Sequence, residues 1–207
     1  MGVKESYNDW ADQYDTNLNK TRDLEAVSLR ETLIDMCFDS CLEIGCGTGK
    51  NTGWLSEKSN KVLAVDFSEE MLFKAKLKIN SPKVVFRQAD INNKWTFGTN
   101  KFDLIVFSLV LEHIENLDPL FEQLSESIQK DGYVYIGELH PFKQYSGTKA
   151  KFETESGTQA VSSYTHNISD YTQVAARYGF AILKVNEYFD DNDRVSIPRI
   201  LTLLFQK

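Results

Sequence analysis

The sequence predicts an α/β fold built on one mostly parallel sheet, and three observations carry that prediction. Short apolar runs of strand length alternate with segments of helical period, the pattern of repeated strand-helix-strand units. Most of the runs are apolar throughout, as strands covered on both faces require. At 207 residues the chain is long enough for one domain with a full core and short for two.

Taken in order, "YNDWADQYD" and "RDLEAVSLRETLIDM" read as two helices that pack on the outside of the sheet, giving an N-terminal helical segment over about residues 1–36. "SCLEIG" (40–45), "KVLAVDF" (61–67), "KVVFRQADI" (83–91), "FDLIVFSLV" (102–110) and "YVYIGEL" (133–139) read as five buried strands. A helix follows Ser68, with Met71, Leu72, Ala75 and Ile79 on one face and Glu69 and Glu70 at the positive end of its dipole. A second helix is capped by Asp118, carries Pro119 in its first turn and ends at Gly132. Residues 140–168 are polar, aromatic and glycine-punctuated without sustained period, and read as an insertion. Ser169 or Asp170 starts a further helix that ends at Gly179. "FAILKVNEY" (180–188) and "RILTLLFQ" (199–206) close the chain as two strands, and the ten-residue loop between them leaves no room for a crossover helix, so they are antiparallel neighbours.

Composition excludes several classes. The formal net charge of −7 opposes attraction to phosphate backbones, so nucleic acid is not the expected partner. No apolar run approaches the roughly 20 residues of a membrane helix. Three cysteines at no zinc-like spacing, and an N-terminus without the apolar core of a signal peptide, point to a soluble protein of a reducing cytoplasm.

The chemistry gathers at "LEIGCGTGKNT", residues 42–52. A strand running into a glycine-rich turn and a helix holds a nucleotide, because backbone amides approach where no Cβ intrudes. Gly45, Gly47 and Gly49 give G-x-G-x-G with Lys50 in place of the third glycine of the dinucleotide fingerprint, and Asn51 after Lys50 does not fit a Walker loop. Asp66, about 20 residues on at a strand end, is placed to accept ribose hydroxyls. Glu43 at the front of the loop would repel a pyrophosphate and suits a cationic ligand, such as a sulfonium with an α-ammonium group.

"LEIGCGTGKNT", "VLAVDFSEEML", "VVFRQADI" and "FDLIVFSLVLEHIEN", in this order and spacing, resemble the class I S-adenosylmethionine-dependent methyltransferases, in particular the small-molecule branch with a UbiE or type 11 domain. The resemblance implies a Rossmann-like three-layer α/β/α sandwich with strand order 3-2-1-4-5-7-6 and strand seven antiparallel, S-adenosylmethionine as cofactor and S-adenosylhomocysteine as product. It implies that Glu43, Gly45, Gly47 and Gly49 underlie the methionine part and ribose, that Asp66 holds the ribose, and that Phe67 and Met71 flank adenine. Asp90 would accept the adenine amino group beside Ile91, and Ser108 with Leu109 would line the sulfonium end. The N-terminal helix would close over the cofactor through Tyr7, Trp10 and Tyr14, with Arg22 on the cofactor carboxylate. Each assignment has a plainer alternative: a capping acid at Asp90, and ordinary amphipathic-helix residues at Tyr7, Trp10, Tyr14 and Arg22.

The histidines divide. His140, at the carboxyl edge of the fifth strand, is the candidate general base or a hydrogen-bonded loop residue. His113 is a rim residue that meets substrate or a packing residue, and His166 either lines the same opening or precedes a helix. No pair has metal-ligand spacing, so no metal is expected. Residues 140–168, with Phe142, Tyr145, Phe152 and Tyr164, read as the cover of the acceptor pocket, Tyr145 meeting substrate; a hairpin on the sheet edge or on a second copy of the chain is the alternative. The expected activity is methylation of an O, N or C atom of a small molecule, with a non-catalytic S-adenosylmethionine sensor as the competing reading.

Overall fold

The computed structural model describes residues 2–11, 13–16, 18–97, 101–154 and 157–207, with the side chains of 151–154, 158 and 159 not described. Two helices lead: α1 (Val3–Trp10) and α2 (Lys20–Leu33), the second capped by Asn19, whose side chain accepts from the amides of Thr21 and Arg22. Then follow β1 (Phe38–Ile44), α3 (Thr52–Lys58), β2 (Ser59–Asp66), α4 (Glu69–Lys78), β3 (Val84–Gln88), β4 (Phe102–Ser108), α5 (Leu117–Ser127), β5 (Ile128–Leu139) and the short α6 (Pro141–Tyr145). A hairpin of β6 (Lys151–Thr154) and β7 (Gly157–Ala160) precedes α7 (Ile168–Arg177), β8 (Ala181–Tyr188) and β9 (Ile200–Gln206).

The sheet runs β3-β2-β1-β4-β5-β9-β8, with β9 antiparallel to both neighbours. Counting the strands of this sheet alone, β8 and β9 are its sixth and seventh, so the order is the expected 3-2-1-4-5-7-6. Alternate residues feed opposite faces: Ile105 and Phe107 of β4 join the core under α5 and α7, while Leu104 and Val106 join the core under α2, α3 and α4.

Local differences from the sequence reading have identifiable causes. The helix expected to end at Gly132 stops at Ser127, because the backbone of Asp131 and Gly132 pairs with Lys207 and draws residues 128–132 into the sheet. Its cap is Asn116, accepting from the Asp118 amide, rather than Asp118 itself. Likewise α7 starts at Ile168, because Asn167 and Asp170 form a reciprocal capping box. The insertion is ordered as α6 plus the antiparallel β6-β7 hairpin.

Candidate functional site

The four strands β1, β2, β4 and β5 end along one edge of the sheet, and the switch between β1 and β4 opens a crevice there. Its floor is the turn after β1. The amides of Gly45 and Cys46 both donate to Val65 O at the end of β2, bending the chain back across the strand ends. Gly45, Gly47 and Gly49 all have positive φ, for three different reasons. A Cβ on Gly45 would lie 2.3 Å from Val110 Cγ2, and one on Gly49 would press on Ala75 of α4 and on Ile79 just after it, whereas one on Gly47 would project into open space. Gly47 is therefore the glycine bare toward a ligand, and Gly49 packs the loop on α4. Gly45→Ala combines a left-handed backbone, worth about 1–2 kcal/mol for a non-glycine residue, with that overlap. Its melting temperature is expected to fall and cofactor binding to be lost together; a variant as stable as the parent would contradict the close approach.

Asp66 ends β2 with its carboxylate buried. Its Oδ2 accepts from the Gly47 amide at 2.8 Å and its Oδ1 from the Ser68 amide at 2.9 Å, so one side chain ties the glycine turn to the start of α4. A cleft of about 140 Å³ opens above it. Phe67, Met71, Ala89, Asp90, Ile91 and Asn92 line one end. At that end Asp90 caps its own turn, accepting from the amide and side chain of Asn92 and from the side chain of Asn93, while remaining on the cleft wall. Ser108, Leu109, Val110, His113 and Ile114 line the other end, and Val3, Tyr7 and Tyr14 of the N-terminal segment cover the cleft, the Tyr7 ring meeting both Phe67 and His113.

A side cavity continues from Gly45, Gly47, Ser108 and Leu109 toward α2 and is lined by Arg22, Glu25, Glu43, Lys50 and Asn51. Cations and anions in one small chamber suit a zwitterionic amino-acid group. Arg22 lies over the Tyr14 ring at 4.0 Å and donates to Tyr14 O. Glu43 accepts from the Thr52 hydroxyl at 2.5 Å, and Glu25 accepts from the Asn51 side-chain amide at 3.0 Å and the Tyr135 hydroxyl at 3.2 Å. Burial, helped by its acidic neighbours, pushes Glu43 up to about 8; burial pushes Asp66 up to about 6 and raises Glu25. The cradle at Gly47 and these buried acids with neutral donors fit a nucleoside that carries net positive charge.

Raised carboxyls have a consequence for stability. Glu43 and Glu138, the latter also pushed up to about 8 by burial and by the neighbouring Glu112, bind protons in the folded chain that the unfolded chain releases in the ordinary carboxylate range. Their stabilisation is present below that range and is lost as pH rises through about 8. The ligand-free protein should therefore melt at a lower temperature near pH 9 than near pH 7, and the raised thiols of Cys41 and Cys46 act in the same direction. Thermal melts at the two pH values check this; a melting temperature that rises with pH would contradict it.

The rim over the cleft is built from the turn after β4. Leu109 has φ of +58°, and its amide donates to Gly137 O; the amides of Val110 and Leu111 both donate to Glu138 Oε1, at 2.9 and 2.8 Å. This pinning presents His113. Its Nδ1 lies 2.9 Å from Ser162 O, and since a carbonyl only accepts, Nδ1 carries the proton. Nε2 is then left to accept from the Tyr7 hydroxyl, 2.8 Å away on α1. The N-terminal segment is fastened elsewhere by Ser68 to Asn8 and by Asp15 to Thr48 and Lys78, and Trp10 packs with Val161 beside the hairpin.

Three expected site residues lie away from this cleft. His140 does not meet it: the ring is fully enclosed, Nδ1 accepts from the Phe142 amide to cap α6, and Nε2 lies 3.0 Å from Glu187 Oε1. The general-base reading of His140 is corrected to a capping one. His166 is buried with Nε2 on Ile114 O, holding the rim from behind, and the exposed Tyr145 bonds Asn167. Among the described residues, none of 140–168 lines the cleft. Phe142 and Tyr164 are exposed, and the Phe152 side chain lies outside the described residues. Glu25, Asn51, Val110 and Glu138 were not anticipated. The signal for Glu25 was present: Arg22, Glu25, Ala26, Leu29 and Leu33 occupy the buried stripe of α2, where two charges at core positions stand out. Among the described residues no group of three metal-ligating side chains forms, and no helix is long and apolar enough to cross a membrane.

Known proteins similar to this chain are methyltransferases. A family described as a methyltransferase domain matches residues 42–136. An uncharacterized methyltransferase of Emericella nidulans is 26% identical over 88% of this chain and 77% of its own length. Phosphoethanolamine N-methyltransferase 1 of Zea mays is 32% identical over 55% of this chain, which spans 23% of the maize protein, and the chain spans less than half of several other curated relatives. Among solved structures, an S-adenosylmethionine-dependent methyltransferase from Listeria monocytogenes superposes with a TM-score of 0.75 at 24% identity, covering 88% of this chain and 97% of that one. The N-methyltransferase NodS from Bradyrhizobium japonicum, in complex with S-adenosylhomocysteine, gives 0.74 at 17% identity, covering 100% and 99%.

Proposed function

We propose that this chain is a class I S-adenosylmethionine-dependent methyltransferase that methylates a small-molecule acceptor held at the rim of the cleft, a reading supported by the methyltransferase-domain match over residues 42–136 and by its methyltransferase relatives. When bound, S-adenosylmethionine supplies an electrophilic methyl carbon on a positively charged sulfur. The residues do the rest. Asp66 accepts the ribose hydroxyls, and Gly45 and Gly47 admit the nucleoside to the backbone. Phe67, Met71, Asp90 and Ile91 border adenine, and Arg22 with Glu43 meets the two charges of the amino-acid tail. Tyr14 roofs the site, and Ser108 borders its reactive end.

The observation that carries the acceptor half is the Tyr7–His113 pair. Its geometry leaves His113 Nε2, on the cleft wall, as a proton acceptor whose present guest is the Tyr7 hydroxyl. An acceptor O–H or N–H that displaces or joins that hydroxyl loses its proton to Nε2 as the acceptor atom takes the methyl group. Alignment and exclusion of water supply the remainder. A small acceptor is favoured because α1 roofs this end of the cleft and because the net charge of −7 repels phosphate backbones. Relatives are named for phosphoethanolamine and trans-aconitate, both small, and also for a protein histidine.

The test is calorimetry with S-adenosylmethionine, followed by incubation with metabolite fractions and assay of S-adenosylhomocysteine. Binding with turnover supports the proposal; no binding overturns it. A second reading, a non-catalytic S-adenosylmethionine sensor, is favoured because none of the described residues of 140–168 lines the cleft, and binding without turnover on any fraction would select it.

A further inference from the structure

Three carboxylates converge on the donor site from separate elements: Glu25 from α2, Glu43 from β1 and Asp66 from β2, each less than a tenth exposed. The bonds described for them come from neutral donors: the Asn51 amide and Tyr135 hydroxyl on Glu25, the Thr52 hydroxyl on Glu43, and the Gly47 and Ser68 amides on Asp66. Two cations line the same chamber: Lys50 pairs with Asp23, and Arg22 lies over the Tyr14 ring and donates to the Tyr14 carbonyl. Each further positive charge brought among carboxylates buried in this way favours their ionised form. The donor brings a net charge of one and the product S-adenosylhomocysteine brings none, so the two ligands differ in the one property these acids register.

We propose that Glu25 is a specificity-determining residue that selects the charged methyl donor over its neutral product. The proposal rests on the methyltransferase reading and adds to it a reason for product release: transfer of the methyl group removes the charge that held the ligand. Glu25 lines the chamber with Ser108 and Leu109 at the point where it joins the main cleft, and so faces the end at which the charge disappears.

The same arrangement links binding to protons. Donor binding favours the ionised acids and expels protons, and product binding expels fewer. Donor affinity therefore rises with pH relative to product affinity, by at most about tenfold per pH unit for each extra proton released. The other titratable groups facing the three acids are Tyr14 and Arg22 from the N-terminal region, Lys50 and Cys46 from the glycine loop, Cys41 from β1 and Tyr135 from β5. The tyrosine and thiol groups have raised pKa values, above the range in question.

The test is calorimetry of the full chain with S-adenosylmethionine and with S-adenosylhomocysteine, near pH 6.5 and near pH 8, in buffers of differing ionisation enthalpy that count protons. The parent is expected to release more protons to the donor than to the product. Glu25→Gln, which keeps the shape and an acceptor for Asn51, should weaken the donor roughly tenfold or more, the scale of a lost charged contact, and the product less than about twofold. Equal weakening of both ligands, or equal proton release by the parent, would overturn the proposal. If the variant fails to fold, the parent's proton count still decides. Failure of the parent to bind either ligand would instead overturn the methyltransferase reading.

Discussion

Asp66→Ala is expected to weaken binding of S-adenosylmethionine by about ten- to a hundredfold, the equivalent of roughly 1.5–3 kcal/mol for lost hydrogen bonds to a charged group. Two losses combine. In the proposed site the ribose hydroxyls would lose their acceptor, and the Gly47 and Ser68 amides lose the carboxylate that holds the glycine turn against α4. Asp66→Asn is no rescue, because an amide offers one oxygen where two amides now donate and turns its own NH₂ toward the other. Both variants should keep the far-ultraviolet circular dichroism of the parent, since the β2 ladder with β1 and β3 is unaffected. Unchanged calorimetric affinity in a folded Asp66→Ala variant would remove Asp66 from the site.

The second large effect is expected at His113. His113→Gln keeps a polar group that can bond Tyr7 and loses the ability to take a proton, so kcat should fall by about 10²–10⁴ with an acceptor that must be deprotonated, while donor affinity changes little. Tyr7→Phe leaves Nε2 free to serve as base and removes only the fastening of α1; its kcat should fall less, and its effect should appear chiefly in the KM values. Near-parental kcat in His113→Gln would mean that the imidazole only joins α1 to the segment at Ser162.

What was legible in the sequence is what local pattern encodes. Strand runs, the glycine turn and the acid ending β2 are written within a few residues of one another, and the antiparallel close of the sheet follows from a loop too short for a crossover. Contacts across the chain were not legible in this way. Glu138 pins Val110 and Leu111 from another strand, and Tyr7 meets His113 across 106 positions. The same limit explains His140. Its place at a strand end suggested a base, but the ring is enclosed and Glu187 of β8, one strand beyond the neighbouring β9, lies against it. Helix boundaries moved where a cap was reciprocal, as at Asn167 and Asp170, or where the C-terminal Lys207 claimed the backbone after α5.

The central claim is transfer of a methyl group to a small molecule, and its most direct test follows the label. The protein would be incubated with methyl-labelled S-adenosylmethionine and a whole extract, which is then divided into small-molecule, protein and nucleic-acid fractions. Label is expected in the small-molecule fraction with stoichiometric S-adenosylhomocysteine, and is expected to be lost with His113→Gln. Label confined to protein or nucleic acid, or no label in any fraction from a protein that binds the donor, would contradict the account.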